Sequence, residues 1–217
     1  MMTSRVFLLS PANSGGTRAR QVLSPRAVFA LAQRLRSSDG APLGELYAFI
    51  SGLYFRGKLT YARRFAAPPE PDNMTIGRGV HIITPNAGLR MPEALATAAD
   101  LHAFAAADVH AKNPLFTVPL ERSARVLHRE LGPDCDVVLL GSIASPKYID
   151  VLVSVFGDRL RFPLDFVGRG DMSRGGLLLR KADEGAELEY IPVLGATRHG
   201  VRPPKLEKLR SEKSDRG

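Results

Sequence analysis

The stretch "CDVVLLGSIASPKYIDVLVSVFGD" (Cys135–Asp158) decides how the rest of the chain is read. Val137–Leu140 is an unbroken apolar run, too short for a helix and without polar alternation. That is the pattern of a strand buried on both faces. The run stops at Gly141 and Ser142. Ser145 and Pro146 come next, residue types suited to the N-cap and first position of a helix, and a second apolar stretch follows them. Strand, small-residue loop and helix in succession form the repeating unit of a parallel sheet.

The same order recurs upstream. "RVFLLS" (Arg5–Ser10) runs into the loop Pro11–Gly16, and Val80–Thr84 in "GVHIITPNAGL" runs into Pro85–Gly88. Between these strands, "SPRAVFALAQRLRSS" predicts a helix with Ser24 as N-cap and Pro25 in its first turn. "PLGELYAFISGLYFRGKLTYARRFA" predicts two helical pieces hinged near Ser51 and Gly52. "APPEPDN" (Ala67–Asn73) is a loop, since its prolines exclude both helix and central strand. "TAADLHAFAAADV" and "PLERSARVLHREL" predict two more helices. "RLRFP" (Arg159–Pro163) predicts a fourth strand. "GLLLRKA" and "ELEYIPV", parted by Asp183, Glu184 and Gly185, predict a β-hairpin. The expectation is an α/β fold in three layers: a mostly parallel sheet covered on both faces, with a C-terminal β-hairpin. Residues 1–197 read as a single domain and 198–217 as a basic, flexible tail.

Of the 217 residues 44% are hydrophobic, enough for one substantial core. The single cysteine, Cys135, excludes an intrachain disulfide and reads as a small buried residue in a reducing compartment. The apolar run near the N-terminus is shorter than a secretory signal requires, and no window approaches a membrane span. These features predict a cytoplasmic protein with no membrane partner. The net charge of +8 is unevenly placed: residues 1–66 carry ten Arg and Lys against two acids, while residues 67–197 are net acidic. Such asymmetry points to an anionic partner, DNA or RNA first, with plain solubility as the alternative.

In a parallel sheet the loops leaving the strand carboxyl ends form the ligand crevice. Ser10, Asn13, Ser14, Asn86, Gly141 and Ser142 are therefore candidate binding residues, joined by Tyr148 and Lys147 just beyond the third loop. Lys147 there would serve as a point charge for phosphate or, if desolvated, as an amine nucleophile. A second candidate is "VGRGDMSRGGLLLR" (Val167–Arg180), read as a glycine-rich loop ahead of a strand. In it Arg169, Gly170, Ser173 and Arg174 would grip an anion, and Asp171 would act as a general base or position a water. A third group, Tyr54, Arg56 and Lys58, combines an aromatic face with cations. Tyr54, Lys58 and Tyr61 share one helical face, which fits base stacking and equally fits a half-buried amphipathic helix. His81 and His128 read as structural, and the spacing of the histidines with one cysteine supports no metal site. No cofactor motif is present: the glycine-rich stretch lacks Gly-Lys-Ser/Thr.

Taken in order, "LLSPANSGG", "ISGLYFRGKLTYA", "HIITPNAGLRMPEAL" and "VVLLGSIASPKYID" resemble the YaaA-like peroxide-stress proteins. They also resemble related domains of archaeosine synthase and its uracil-DNA-glycosylase-like relatives. Asn13 stands where the YaaA-like pattern has lysine. The resemblance implies a Rossmann-like three-layer sandwich and a link to nucleic acid or modified bases. The expected function is a nucleic-acid- or nucleotide-binding protein acting in base modification or damage response. The alternatives are an enzyme acting on a small phosphorylated metabolite and a non-catalytic interaction module that docks a partner through its tail.

Overall fold

A computed structural model describes residues 4–144, 146–196, 200 and 203–204. In chain order the elements are β1 (Arg5–Leu9), α1 (Thr17–Leu23), α2 (Ala30–Arg36), β2 (Ala41–Pro42), α3 (Leu43–Ser51) and α4 (Leu53–Phe65). There follow β3 (Val80–Ile83), β4 (Leu89–Arg90), β5 (Leu95–Ala96), α5 (Ala98–Ala106), α6 (Pro114–Glu130) and β6 (Asp136–Leu140). The chain continues through α7 (Ile149–Phe156), β7 (Leu160–Pro163), α8 (Asp171–Glu184) and β8 (Tyr190–Pro192).

The apolar runs of β1, β3 and β6 are fully buried or nearly so, as strands covered on both faces must be. They form the middle of a six-stranded sheet in the order β4-β3-β1-β6-β7-β8. The pairs β1–β3, β1–β6 and β6–β7 are parallel, while the edge strands β4 and β8 run antiparallel to their neighbours. Leu9 is level with Ile82 on one side and Leu140 on the other, so Ser10, Thr84 and Gly141 leave the sheet along one edge. Chain direction reverses here: β1 leads to β3 on one side, and β6 leads to β7 on the other. The switch point of the sheet lies between β1 and β6, at Ser10 and Gly141.

Alternation along β1 builds the layers. Phe7 packs edge-on against Tyr61 of α4, with ring centroids 5.9 Å apart. Leu8 faces the other way, on the side where its register partner His81 meets α6. One hydrophobic core runs through both faces, and Cys135 is buried in it. Leu53–Phe65 and Asp171–Glu184 lie against each other because two glycines meet at the crossing. A Cβ on Gly57 would stand 2.6 Å from the Gly175 carbonyl oxygen, and one on Gly175 would stand 2.8 Å from Tyr54 Cα. Among the described residues no helix is long and apolar enough to cross a membrane.

The predicted hinge falls at Gly52, whose φ of +63° suits glycine and separates α3 from α4. The C-terminal antiparallel pair is present as β7 with β8: "ELEYIPV" supplies β8 as expected, but its partner is Leu160–Pro163. "GLLLRKA" is helical and belongs to α8, because Leu177 and Leu178 pack inward at helical spacing once Gly175 seats the helix on α4. The stretch around Gly168–Gly176 is thus no loop before a strand: Gly170 caps a helix that starts at Asp171. Ser24 ends α1 rather than starting a helix, and the next helix begins at Ala30 with Phe29 as its cap. After β3 the chain makes a short antiparallel return to β4 instead of entering a helix directly. Helix α7 starts at Ile149, so Pro146 lies in the turn before it. Ser145, expected as N-cap, and all of the 198–217 tail except Gly200, Pro203 and Pro204 lie outside the described residues.

Candidate functional site

Gly141 lets two strand ends and a tyrosine converge. A Cβ there would meet Tyr148 Oη at 2.8 Å and Ser10 Cβ at 2.9 Å. Tyr148 is buried, donates to the Ser142 carbonyl at 3.0 Å, and has its phenol pKa pushed up to about 12 by burial. Into this same corner α4 sends Lys58. Its side chain is fully buried, and Nζ donates to the Ser10 carbonyl at 2.6 Å and to Ser10 Oγ at 2.9 Å. The ammonium also lies 4.5 Å from the centre of the Tyr54 ring and 4.8 Å from that of Phe55. No carboxylate among the described residues pairs with it. Burial therefore dominates and lowers the Lys58 pKa to about 7, with the more distant Asp171 opposing that shift and Arg174 adding to it.

Helix α8 supplies the second cation. Because α8 crosses α4 at the Gly57–Gly175 contact, its first turn is carried to the switch point. Arg174 is largely buried and donates to the Phe166 carbonyl through Nε at 3.3 Å and Nη2 at 2.9 Å. Asp171 sits 3.6 Å from Arg174 Nη1 but is mostly exposed. Three buried hydroxyls have no hydrogen-bond partner among the described residues. Tyr54 Oη lies near Arg174 without closing a bond of ordinary geometry, and burial raises its pKa. Ser14 Oγ stands against the Tyr47 hydroxyl, which is likewise unpartnered and raised by burial.

The arrangement is a buried, net-cationic corner. Lys58 and Arg174 face it, Ser10, Tyr54 and Tyr148 provide hydroxyls, and the backbone at Gly141 and Ser142 closes one wall. A cavity of about 10 Å³ beside Gly141 and Arg174 has room for roughly one water. Chemically the corner can neutralise an anion, and an amine with a pKa near 7 can take or give a proton. Among the described residues no group of three or more His, Cys, Asp or Glu side chains is arranged to hold a metal ion.

Of the residues singled out from the sequence, Ser10, Tyr54, Lys58, Gly141, Ser142, Tyr148, Asp171 and Arg174 meet at this corner, while Ser14 is buried against Tyr47. The others lie elsewhere or are otherwise engaged. Asn13 is exposed and its Oδ1 accepts from Gly15 N–H at 3.1 Å. Arg56 is exposed on the outer side of α4, opposite the face that buries Tyr54, Lys58 and Tyr61. Lys147 is exposed in the turn before α7. Asn86 lies on the same sheet edge but borders a shallow cavity against α5 and α6. Arg169 is tied to the Asp165 carbonyl at 2.9 Å and reaches Ser173 Oγ at 3.4 Å, while Gly170 caps the helix. Sequence reasoning missed Tyr47. It lies at helical spacing from Leu43 and Ile50, which marks a core position without revealing that its hydroxyl is left unsatisfied. Comparison with protein-family models, curated proteins and solved structures found no match to this chain.

Proposed function

We propose that this protein binds a nucleotide or nucleic acid through the corner between β1 and β6, with a phosphate or an anionic base edge received by Lys58 and Arg174. The observation that carries the reading is Lys58: a fully buried lysine with no carboxylate partner among the described residues, at the switch point of a parallel sheet. An isolated buried cation is costly, and an incoming anion removes that cost. The exposed first turn of α8, which has no side-chain cap among the described residues, points the positive end of its helix dipole to the same side. The basic N-terminal segment of the chain supports a polymeric ligand, in line with the resemblance to proteins that act on nucleic acid. On this reading the activity belongs to base modification or damage response.

The test is fluorescence anisotropy of a short labelled single-stranded DNA and its RNA equivalent across a salt series. Binding should fall steeply as salt rises, and Lys58→Met and Arg174→Met should weaken it at every salt concentration. Absence of binding at low salt, or equal affinity in folded variants, overturns the reading. The Lys58 amine, with its pKa lowered to about 7, favours a second reading: an enzyme on a small phosphorylated metabolite. A thermal-shift screen of nucleotides and sugar phosphates separates the two. A ligand at one hundred times its Kd adds about 2.7 kcal/mol of stability.

A further inference from the structure

A second, larger cavity lies away from the switch point, between the β3–β4 edge of the sheet and α6. Its volume is about 820 Å³. Pockets that enclose small organic ligands span roughly 300–1,000 Å³. Leu89, Met91, Val126 and Leu127 give it an apolar wall. His81 lines it from β3, on the face that β1 presents to α6. The imidazole is buried, and its Nε2 has no hydrogen-bond partner among the described residues. A neutral imidazole has one acceptor nitrogen, and the unpartnered Nε2 is placed to be it.

The charges around the cavity are not balanced. Glu93 is committed to Arg63 at 2.8 Å, and Arg90 lies near the Asp100 carboxylate. Arg122 lines the cavity from α6, is exposed, and has no hydrogen-bond or ion-pair partner among the described residues. Ser123 is spent on the backbone: its hydroxyl donates to the turn of α6 and accepts from Leu89 N–H at 2.8 Å. One acceptor and one cation are thus left for a ligand, set in an apolar surround.

We propose that this cavity binds a small amphipathic anion: an apolar body with one hydrogen-bond donor for His81 Nε2 and a carboxylate or sulfonate for Arg122. The unsatisfied imidazole nitrogen is costly in the empty cavity, and a ligand donor removes that cost. Burial keeps His81 neutral, lowering its pKa to about 4, so the ring retains one acceptor nitrogen at neutral pH.

The probes are anilinonaphthalene sulfonate and indoleacetate, each of which carries an aromatic body, an N–H and one acid. Anilinonaphthalene sulfonate should bind with saturable fluorescence enhancement at one site, and indoleacetate should displace it. Arg122→Gln, at an exposed position, and His81→Leu should each weaken both probes by about tenfold, the scale of one lost polar contact in a desolvated site. Arg64→Gln borders the separate groove between α4 and α8 and should leave affinity unchanged. If His81→Leu does not fold, His81→Gln takes its place, and it should weaken binding less. Absence of saturable binding overturns the assignment. So does loss confined to one of the two cavity variants, or sensitivity to Arg64→Gln alone.

Discussion

Replacing Lys58 by methionine isolates the electrostatic cost of the buried amine. Unfolded, the lysine titrates near its ordinary value of 10.5; in the folded chain burial lowers this to about 7. Between those values the unfolded state holds the proton and the native state does not, so stability rises with pH. The penalty is fully present below the folded pKa and fades as pH climbs toward the unfolded one. Each pH unit inside the window is worth about 1.4 kcal/mol, so from about pH 6 to about pH 9 this lysine alone adds about 3 kcal/mol. Methionine keeps the apolar stem and removes the titration. Urea unfolding of both proteins at several pH values measures the difference. The wild-type stability should climb relative to Lys58→Met by that amount. Parallel curves would mean that the ammonium stays charged in the fold and that the isolated-cation argument is wrong. A bound anion acts the other way, holding the ammonium charged, so saturating nucleotide should flatten the wild-type slope.

Two further outcomes test the frame that positions the site. Gly57→Ala should destabilise the protein by about 2 kcal/mol in scanning calorimetry, since the added methyl would meet the Gly175 carbonyl at 2.6 Å. Alanine is the better helix former by about 1 kcal/mol, so a gain in stability would show that the α4–α8 crossing is looser than described. Tyr61 anchors a chain of polar groups: it accepts from Leu188 N–H at 2.7 Å and contacts Tyr190 Oη at 2.7 Å. Tyr190 in turn donates to Glu187 at 2.8 Å, and Glu187 also pairs with Arg5. Tyr61→Phe strands a buried amide and should cost about 1–3 kcal/mol in denaturant unfolding, whereas a neutral result would refute the network.

The apolar runs at Val6–Leu9, Val80–Ile83 and Val137–Leu140 by themselves determined the parallel sheet and the edge where its loops emerge, because a strand covered on both faces tolerates no polar alternation. Local chemistry likewise determined the hinge at Gly52 and put Tyr54, Lys58 and Tyr61 on one helical face, which packing turns inward. The same local signals misled at Ser24 and at "GLLLRKA", where a cap residue and a short apolar run each fit two structures. Only tertiary packing chose between them: the bare backbones of Gly57 and Gly175 let α8 settle on α4, which keeps that run helical. The same contact explains why the glycine-rich stretch holds flexible cations before an apolar segment. It is the first turn of a helix that must approach a neighbour closely and deliver Arg174 to a corner where Lys58 is already buried. No periodicity in a single chain records which two distant helices will touch. That contact brings the two cations of the site together, and the water it excludes is what lowers the Lys58 pKa.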